Sequence, residues 1–89
     1  MAEVYVEDFM SPGCVGCPVV KEMLKGLSEE LNGEITVEEV DITVDTTRAA
    51  QYGVMSVPAI AINGVLKFMG VPKKEELKKV LEEEFETDE

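Results

Sequence analysis

The chain has 89 residues, of which 45% are hydrophobic and 30% are charged. These values predict one soluble globular domain, and no apolar stretch approaches the roughly 18–20 residues that a membrane span needs. Nineteen acidic residues against eight basic ones give a net charge of −11. Such a charge repels nucleic-acid phosphates and anionic lipids, so we expect neither a nucleic acid nor a membrane as partner. The N-terminus lacks the features of a signal peptide, so we expect a cytoplasmic protein.

The first part of the chain predicts a strand followed by a helix. Residues 4–10 are rich in β-branched and aromatic side chains, which favours a strand that stops at Ser11-Pro12-Gly13. A helix is predicted after Cys17, with Asn32-Gly33 as its end. The apolar residues with helical spacing in this segment are Val20, Met23, Leu24, Leu27 and Leu31.

The middle of the chain predicts a second strand and a short helix. Residues 35–44 alternate as a strand does, but the phase slips between Val37 and Val40. A bulge or an early end of the strand accounts for the slip. Asp45 is a suitable N-cap for a short helix, which Gly53 closes.

The last part of the chain predicts a hairpin and a final helix. Asn63-Gly64 separates the apolar segments 59–62 and 65–69, and this pair favours a hairpin turn because both positions need positive φ. Pro72 can open a helix. The apolar stripe of that helix comprises Leu77, Val80, Leu81 and Phe85. Residues 86–89 form an acidic tail that we expect to fray.

The predicted order is therefore β-α-β-α-β-β-α in a single domain, residues 1–89. The first half requires a parallel crossover and the hairpin adds an antiparallel strand, so the four-stranded sheet is mixed. Helices on both faces of this sheet give a three-layer α/β/α sandwich.

The side chains available for chemistry are few. The absence of histidine excludes Ser-His-Asp and Cys-His catalytic sites and the usual zinc and non-haem iron sites. The two cysteines, Cys14 and Cys17, lie between the first strand and the first helix, where helix N-terminal amides favour a thiolate. Because the thiolate attacks disulfides, Cys14 is the candidate nucleophile. Cys17, one turn into the helix, is placed to resolve a mixed disulfide.

Other interpretations of the cysteine pair stay open. A CxxC pair can be half of a zinc site, which here requires two chains because the sequence has no second pair. An iron–sulfur carrier that uses Cys14 from two chains is a related alternative. The pair can also be a purely structural disulfide, or the chain a redox-inactive binding module. A four-residue loop constrains the unfolded chain little, and an intact CxxC argues against the binding module.

Two segments together resemble a known family. Cys14-Val15-Gly16-Cys17 opens a helix, and Tyr52-Gly53-Val54-Met55-Ser56-Val57-Pro58 precedes a hairpin and a final helix. Over residues 3–85 this pattern resembles the thioredoxin superfamily, in particular the small archaeal thioredoxin- or glutaredoxin-like proteins. The resemblance implies a thioredoxin fold and a protein-disulfide oxidoreductase without a cofactor. It also implies disulfide-containing proteins as substrates, a thioredoxin-reductase-like electron donor and a monomer.

The resemblance also assigns roles around the cysteines. It implies that Pro58 is cis and faces the CxxC, so that the Val57 backbone pairs with an extended substrate segment. The alternative is a trans proline that only starts a strand. Gly70 either leaves room beside the sulfurs or only ends its strand. Met55, Val57 and Val71 either offer an apolar surface to substrates or belong to the core.

Asp8 is a further candidate. In thioredoxins a buried aspartate lies six residues before the first cysteine, and counting back from Cys14 reaches Asp8. Burial would raise its pKa and allow proton transfer with Cys17. The alternative is a solvated acid at the end of a strand.

The chain also departs from the family pattern. Met10 and Gly13 stand where the family has tryptophans, and the spacer Val15-Gly16 replaces the thioredoxin Gly-Pro. The glutaredoxin threonine is Ser56, and the Gly-Gly pair with acidic residues after the hairpin is not seen, so glutathione use is not expected. The lysine of the second strand is also missing. The acidic residues in that region are Glu38, Glu39 and Asp41.

Overall fold

The computed structural model describes residues 3–31 and 35–86, with side chains up to residue 84. Its elements follow the predicted order. They are β1 (Val4–Met10), α1 (Cys17–Glu30), β2 (Ile35–Asp41), α2 (Thr46–Tyr52), β3 (Ala59–Ile62), β4 (Val65–Met69) and α3 (Lys74–Glu86).

The four strands form one mixed sheet in the order β2-β1-β3-β4. The central strand β1 runs parallel to β2 and antiparallel to β3, and β4 is antiparallel to β3. The hairpin turn between β3 and β4 has positive φ at Asn63 (50°) and Gly64 (85°). The predicted mixed sheet and its hairpin are therefore confirmed.

Successive residues of β1 face opposite layers, which divides the core into two clusters. Val4 and Val6 pack with residues of α1 and α3 on one face of the sheet. Phe9 packs with β2 and β3 residues and with Tyr52 of α2 on the other face. The predicted three-layer sandwich is thus confirmed, and two neighbouring acids, Glu7 and Asp8, lie on opposite faces.

The strand β2 has no bulge. Its pairing with β1 is continuous from Ile35 to Asp41, so the phase slip reflects only an early end and a strand that contacts both core clusters. Ile35 is buried in the first cluster and Val40 in the second. The register shift of the sheet lies instead in β3, between Ile60 and Ala61.

The boundaries of α2 agree with prediction, whereas α3 begins later than expected. Asp45 caps α2 by accepting from the Arg48 backbone N–H at 3.0 Å, and Gly53 closes the helix at φ 70°. The helix α3 begins at Lys74, so Pro72 precedes its first turn rather than opening it. Leu77 and Leu81 are buried on α3 as predicted.

Some expectations fall outside the described part of the chain. The helix α1 ends at Glu30, and the predicted stop at Asn32-Gly33 is not among the described residues. The same holds for the Phe85 side chain and for residues 87–89 of the acidic tail. Glu86, the first residue of that tail, still belongs to α3.

Candidate active site

The cysteine pair lies at the junction of β1 and α1. Cys14 and Cys17 form a disulfide with their Cα atoms 5.4 Å apart. Cys17 is the first residue of α1 rather than one turn into it; its side chain is buried, whereas Cys14 is half-buried. The N-cap is Gly16, which has no side chain to accept from the first turn. The N-terminal amides of α1 are therefore available to a thiolate once the disulfide opens.

Pro58 packs directly against the cysteine loop. The Val57–Pro58 peptide bond is cis, as predicted. The Pro58 ring Cδ lies 3.3 Å from the position that a Cβ on Gly16 would occupy. The Pro58 carbonyl accepts a hydrogen bond from the Gly70 N–H at 2.7 Å. Three loops therefore meet at the disulfide: the CxxC loop, the loop before β3 and the loop after β4.

Gly16 is the residue whose lack of a side chain this junction requires. A Cβ there would lie 2.8 Å from Val71 Cγ2, closer than real contacts allow. From the sequence, the Val15-Gly16 spacer was only a departure from the family pattern, and this close approach was not predicted. The departure was itself the available signal.

Gly70 has a different reason to be glycine. Its φ of 96° is a conformation that side chains disfavour, whereas a Cβ at Gly70 would meet no atom within 4 Å. The left-handed backbone after β4, and not crowding in the free protein, therefore explains this glycine.

Exposed apolar side chains surround the cysteines. Val15 is 92% exposed, Met55 88% and Val71 48%. These values exclude the core alternative for Met55 and Val71. Val57, which the sequence left undecided, is half-buried and packs against the second core cluster.

Asp8 is buried beside the disulfide. It is 1% exposed, and its Oδ1 has no hydrogen-bond partner within the described part of the chain. Burial raises the pKa of Asp8 to about 6; the nearby Glu39 carboxylate adds to the rise and the Lys21 ammonium opposes it. Asp8, Cys14 and Cys17 line one cavity of about 360 Å³. The solvated-acid alternative is therefore excluded.

An ion pair lies next to Asp8. Glu39 is the register partner of Asp8 on β2, and its carboxylate lies 3.3 Å from Lys21 Nζ. An acid thus occupies the strand position beside Asp8, in the region where the family lysine is missing, and the cation comes from α1. This pairing was not predicted from the sequence; one signal for it is that Lys21 lies one helical turn after Cys17, on the same side of α1.

Neither a metal-ligand cluster nor a membrane-spanning helix occurs among the described residues. No three cysteine, aspartate or glutamate side chains within 3–31 and 35–84 are grouped so that they could hold a metal ion. In the same part of the chain, no helix has the length and apolarity needed to cross a membrane.

Comparison with known proteins agrees with this geometry. The family model described as "Thioredoxin domain" matches residues 3–82. The chain belongs to the thioredoxin family. It is 46% identical over 83 residues to a "Probable Thioredoxin" of Methanothermobacter thermautotrophicus, covering 93% of this chain and 98% of that protein. It is 38% identical over 77 residues to a "Thioredoxin" of Methanocaldococcus jannaschii, covering 86% of this chain and 91% of that protein.

Solved structures agree on the thioredoxin fold. A mutant thioredoxin from Halobacterium salinarum NRC-1 superposes with a TM-score of 0.80 at 23% identity, covering 93% of this chain and 75% of that one.

With archaeal thioredoxin relatives and a Cys14–Cys17 disulfide at the start of α1, the chain is a protein-disulfide oxidoreductase.

Proposed function

We propose that the protein reduces disulfides of other proteins, with Cys14 as nucleophile, Cys17 as resolving thiol and Asp8 as proton acceptor. The observation that carries this assignment is the cavity that Asp8 shares with both cysteines. Asp8 lacks a hydrogen-bond partner at Oδ1 in the described chain, and with a pKa of about 6 it can exchange a proton near neutral pH.

The exchange proceeds in two balanced steps. The Cys14 thiolate attacks one sulfur of the substrate disulfide, so that a mixed disulfide forms and the other substrate sulfur leaves as a thiolate. Cys17 then transfers its proton to Asp8 and attacks the Cys14 sulfur. The Cys14–Cys17 disulfide forms, and the second substrate thiolate is released. Two electrons have passed from the dithiol to the substrate.

The substrate chain would bind across the loops that meet at the disulfide. We infer that it pairs as an extended strand with the Val57 backbone, next to Pro58 and Gly70. Met55 and Val71 offer exposed apolar side chains to the substrate. The flexible Met55 side chain suits contacts with unrelated protein partners. A thioredoxin-reductase-like protein would return electrons to the oxidised form. We place this cycle in the cytoplasm, because reducing compartments keep such dithiols reduced. We further propose that the chain acts as a monomer.

Turnover of insulin disulfides with dithiothreitol as reductant tests the assignment. We expect the wild type to accelerate insulin reduction, Cys14→Ser to abolish the acceleration, and Cys17→Ser to accumulate mixed disulfide. We expect Asp8→Asn to slow the resolving step most strongly near neutral pH. An active Cys14→Ser variant would contradict the nucleophile, and an unchanged pH profile in Asp8→Asn would contradict the proton acceptor.

A further inference from the structure

The helix α2 has little apolar surface to hold it in place. It spans seven residues, Thr46–Tyr52, and Ala49 is its one buried residue. A helix this short is not stable on its own in water, because the initiation cost is shared by few hydrogen bonds. Its position on the sheet therefore depends on other contacts.

A buried carboxylate on β1 supplies those contacts. Glu7 is 4% exposed and faces α2. One of its oxygens accepts from the Tyr52 hydroxyl, and the other lies 3.3 Å from Arg48 Nη1. The hydrogen bond to Glu7 raises the pKa of Tyr52 to about 12, so the phenol keeps its proton.

Arg48 connects Glu7 to two further carboxylates. Its guanidinium lies 3.1 Å from Glu38 on β2 and 3.2 Å from Asp45, the N-cap of its own helix. One cation thus joins β1, β2 and the start of α2. Glu7 is the buried member of this network, so loss of Arg48 would leave its carboxylate without a cation, which is costly in a buried position.

Tyr52 connects the network to the loop before β3. It is the last residue of α2, and its ring packs edge-on against Phe9 with centroids 5.3 Å apart. Immediately after it, Gly53 turns the chain and the Val54 N–H donates to the Ala49 carbonyl at 2.9 Å. Val54 and Val57 then pack in the same cluster as Tyr52. The chain therefore enters segment 54–58 directly after Tyr52, whose hydroxyl is hydrogen-bonded to Glu7.

We propose that Glu7, Arg48 and Tyr52 are positioning residues that hold segment 54–58 in register for a protein substrate. The inference rests on the proposed function, in which the Val57 backbone pairs with the substrate chain. A small disulfide reacts at Cys14 without using that segment. Loss of the network therefore weakens binding of protein disulfides and spares small ones.

The test compares Tyr52→Phe with Tyr5→Phe. Both changes remove one phenolic hydroxyl that donates to a glutamate, but the Tyr52 bond joins α2 directly to Glu7, whereas the Tyr5 bond joins β1 to Glu38 of β2. Glu38 reaches α2 only through its more exposed ion pair with Arg48, so Tyr5→Phe leaves the contacts of Glu7 in place. Each reduced variant is reacted with insulin and with bis(2-hydroxyethyl) disulfide, and its free energy of unfolding is measured. For Tyr52→Phe we expect kcat/KM for insulin to fall about five- to tenfold, mainly through KM, with little change for the small disulfide. Tyr5→Phe should leave the ratio of the two rates unchanged.

A general loss of structure would not produce this selectivity. Equal losses on both disulfides, or the same selective loss in Tyr5→Phe, would overturn the inference while leaving the proposed function intact. A wild type that left insulin unreduced would instead contradict the proposed function, and the inference would fall with it.

Discussion

Glu7 and Asp8 are adjacent on β1, both carboxylic acids and both buried, yet their surroundings differ completely. Glu7 faces α2 and has partners for both oxygens, whereas Asp8 faces α1 with Oδ1 unpaired within the described residues. Burial alone therefore does not make a reactive acid. The partners of a buried carboxylate determine its role, because a carboxylate with hydrogen-bond and ionic partners stabilises structure, whereas one without them gains affinity for a proton.

The largest expected effect comes from removing the charge of Asp8. Its folded-state pKa of about 6 lies above 3.8, the ordinary value of an aspartate, so its contribution to stability is fully present below about pH 4 and is lost as the pH rises through 6. The loss amounts to about 3 kcal/mol at pH 8. We expect Asp8→Asn to raise the free energy of unfolding by up to that amount at pH 8 and hardly at pH 3.5.

Urea unfolding of the oxidised protein at both pH values measures this difference. Glu7→Gln on the neighbouring residue is the matched control, and it should lower stability at pH 8 because it weakens a satisfied network. An Asp8→Asn variant that lost stability on going from pH 3.5 to pH 8, relative to wild type, would remove the contrast between the two acids.

The second prediction removes the cation that is paired with Glu7. Arg48→Met keeps an apolar stem but leaves the Glu7 carboxylate with Tyr52 as its remaining side-chain partner among the described residues. We expect the free energy of unfolding to fall by about 2 kcal/mol, less than for a fully buried pair because Arg48 is partly exposed. Lys25→Met, on the exposed side of α1, changes the net charge equally and should cost little. Similar losses in the two variants would point to net charge rather than to the network.

The third prediction concerns Gly16, where a Cβ would lie close to both Val71 and Pro58. We expect Gly16→Ala to cost about 1 kcal/mol, since Val71 must move to admit the Cβ. In a Val71→Ala background the same change should cost clearly less, and the part that remains reflects the 3.3 Å approach to Pro58 Cδ. A double-mutant cycle by urea unfolding measures this coupling, and an equal cost in both backgrounds would show that Val71 is not the obstacle.

The smallest expected effect concerns the two charged residues that act on the pKa of Asp8. Glu39 raises the pKa of Asp8 and Lys21 lowers it, so Glu39→Gln should shift it down and Lys21→Gln should shift it up. Both side chains of the pair are substantially exposed, so we expect shifts of a few tenths of a unit that shrink at high salt. Carbon-13 NMR titration of the Asp8 carboxyl measures them. Shifts of the same sign in the two variants would contradict a direct electrostatic effect.

Local patterns in the sequence determined the order of elements and the identity of the reactive pair. Asp45 and Gly53 cap the two ends of α2 as predicted, and Asn63-Gly64 forms the hairpin turn. These features could be predicted because capping and turn chemistry act within a few residues. The CxxC at a strand–helix junction needed no distant information either. The position of Asp8 came from its spacing to Cys14 together with the family resemblance.

Only the tertiary structure decided what surrounds these residues. The alternation of β1 places Glu7 and Asp8 on opposite faces, but their partners come from positions far along the chain: Arg48 and Tyr52 for one, Glu39 for the other. The close approach of Val71 to Gly16 joins loops that are also distant in sequence. Periodicity and turn signals report which way a side chain points. The contacts that it finds there, and therefore whether a buried acid is held or reactive, depend on the packing of distant segments.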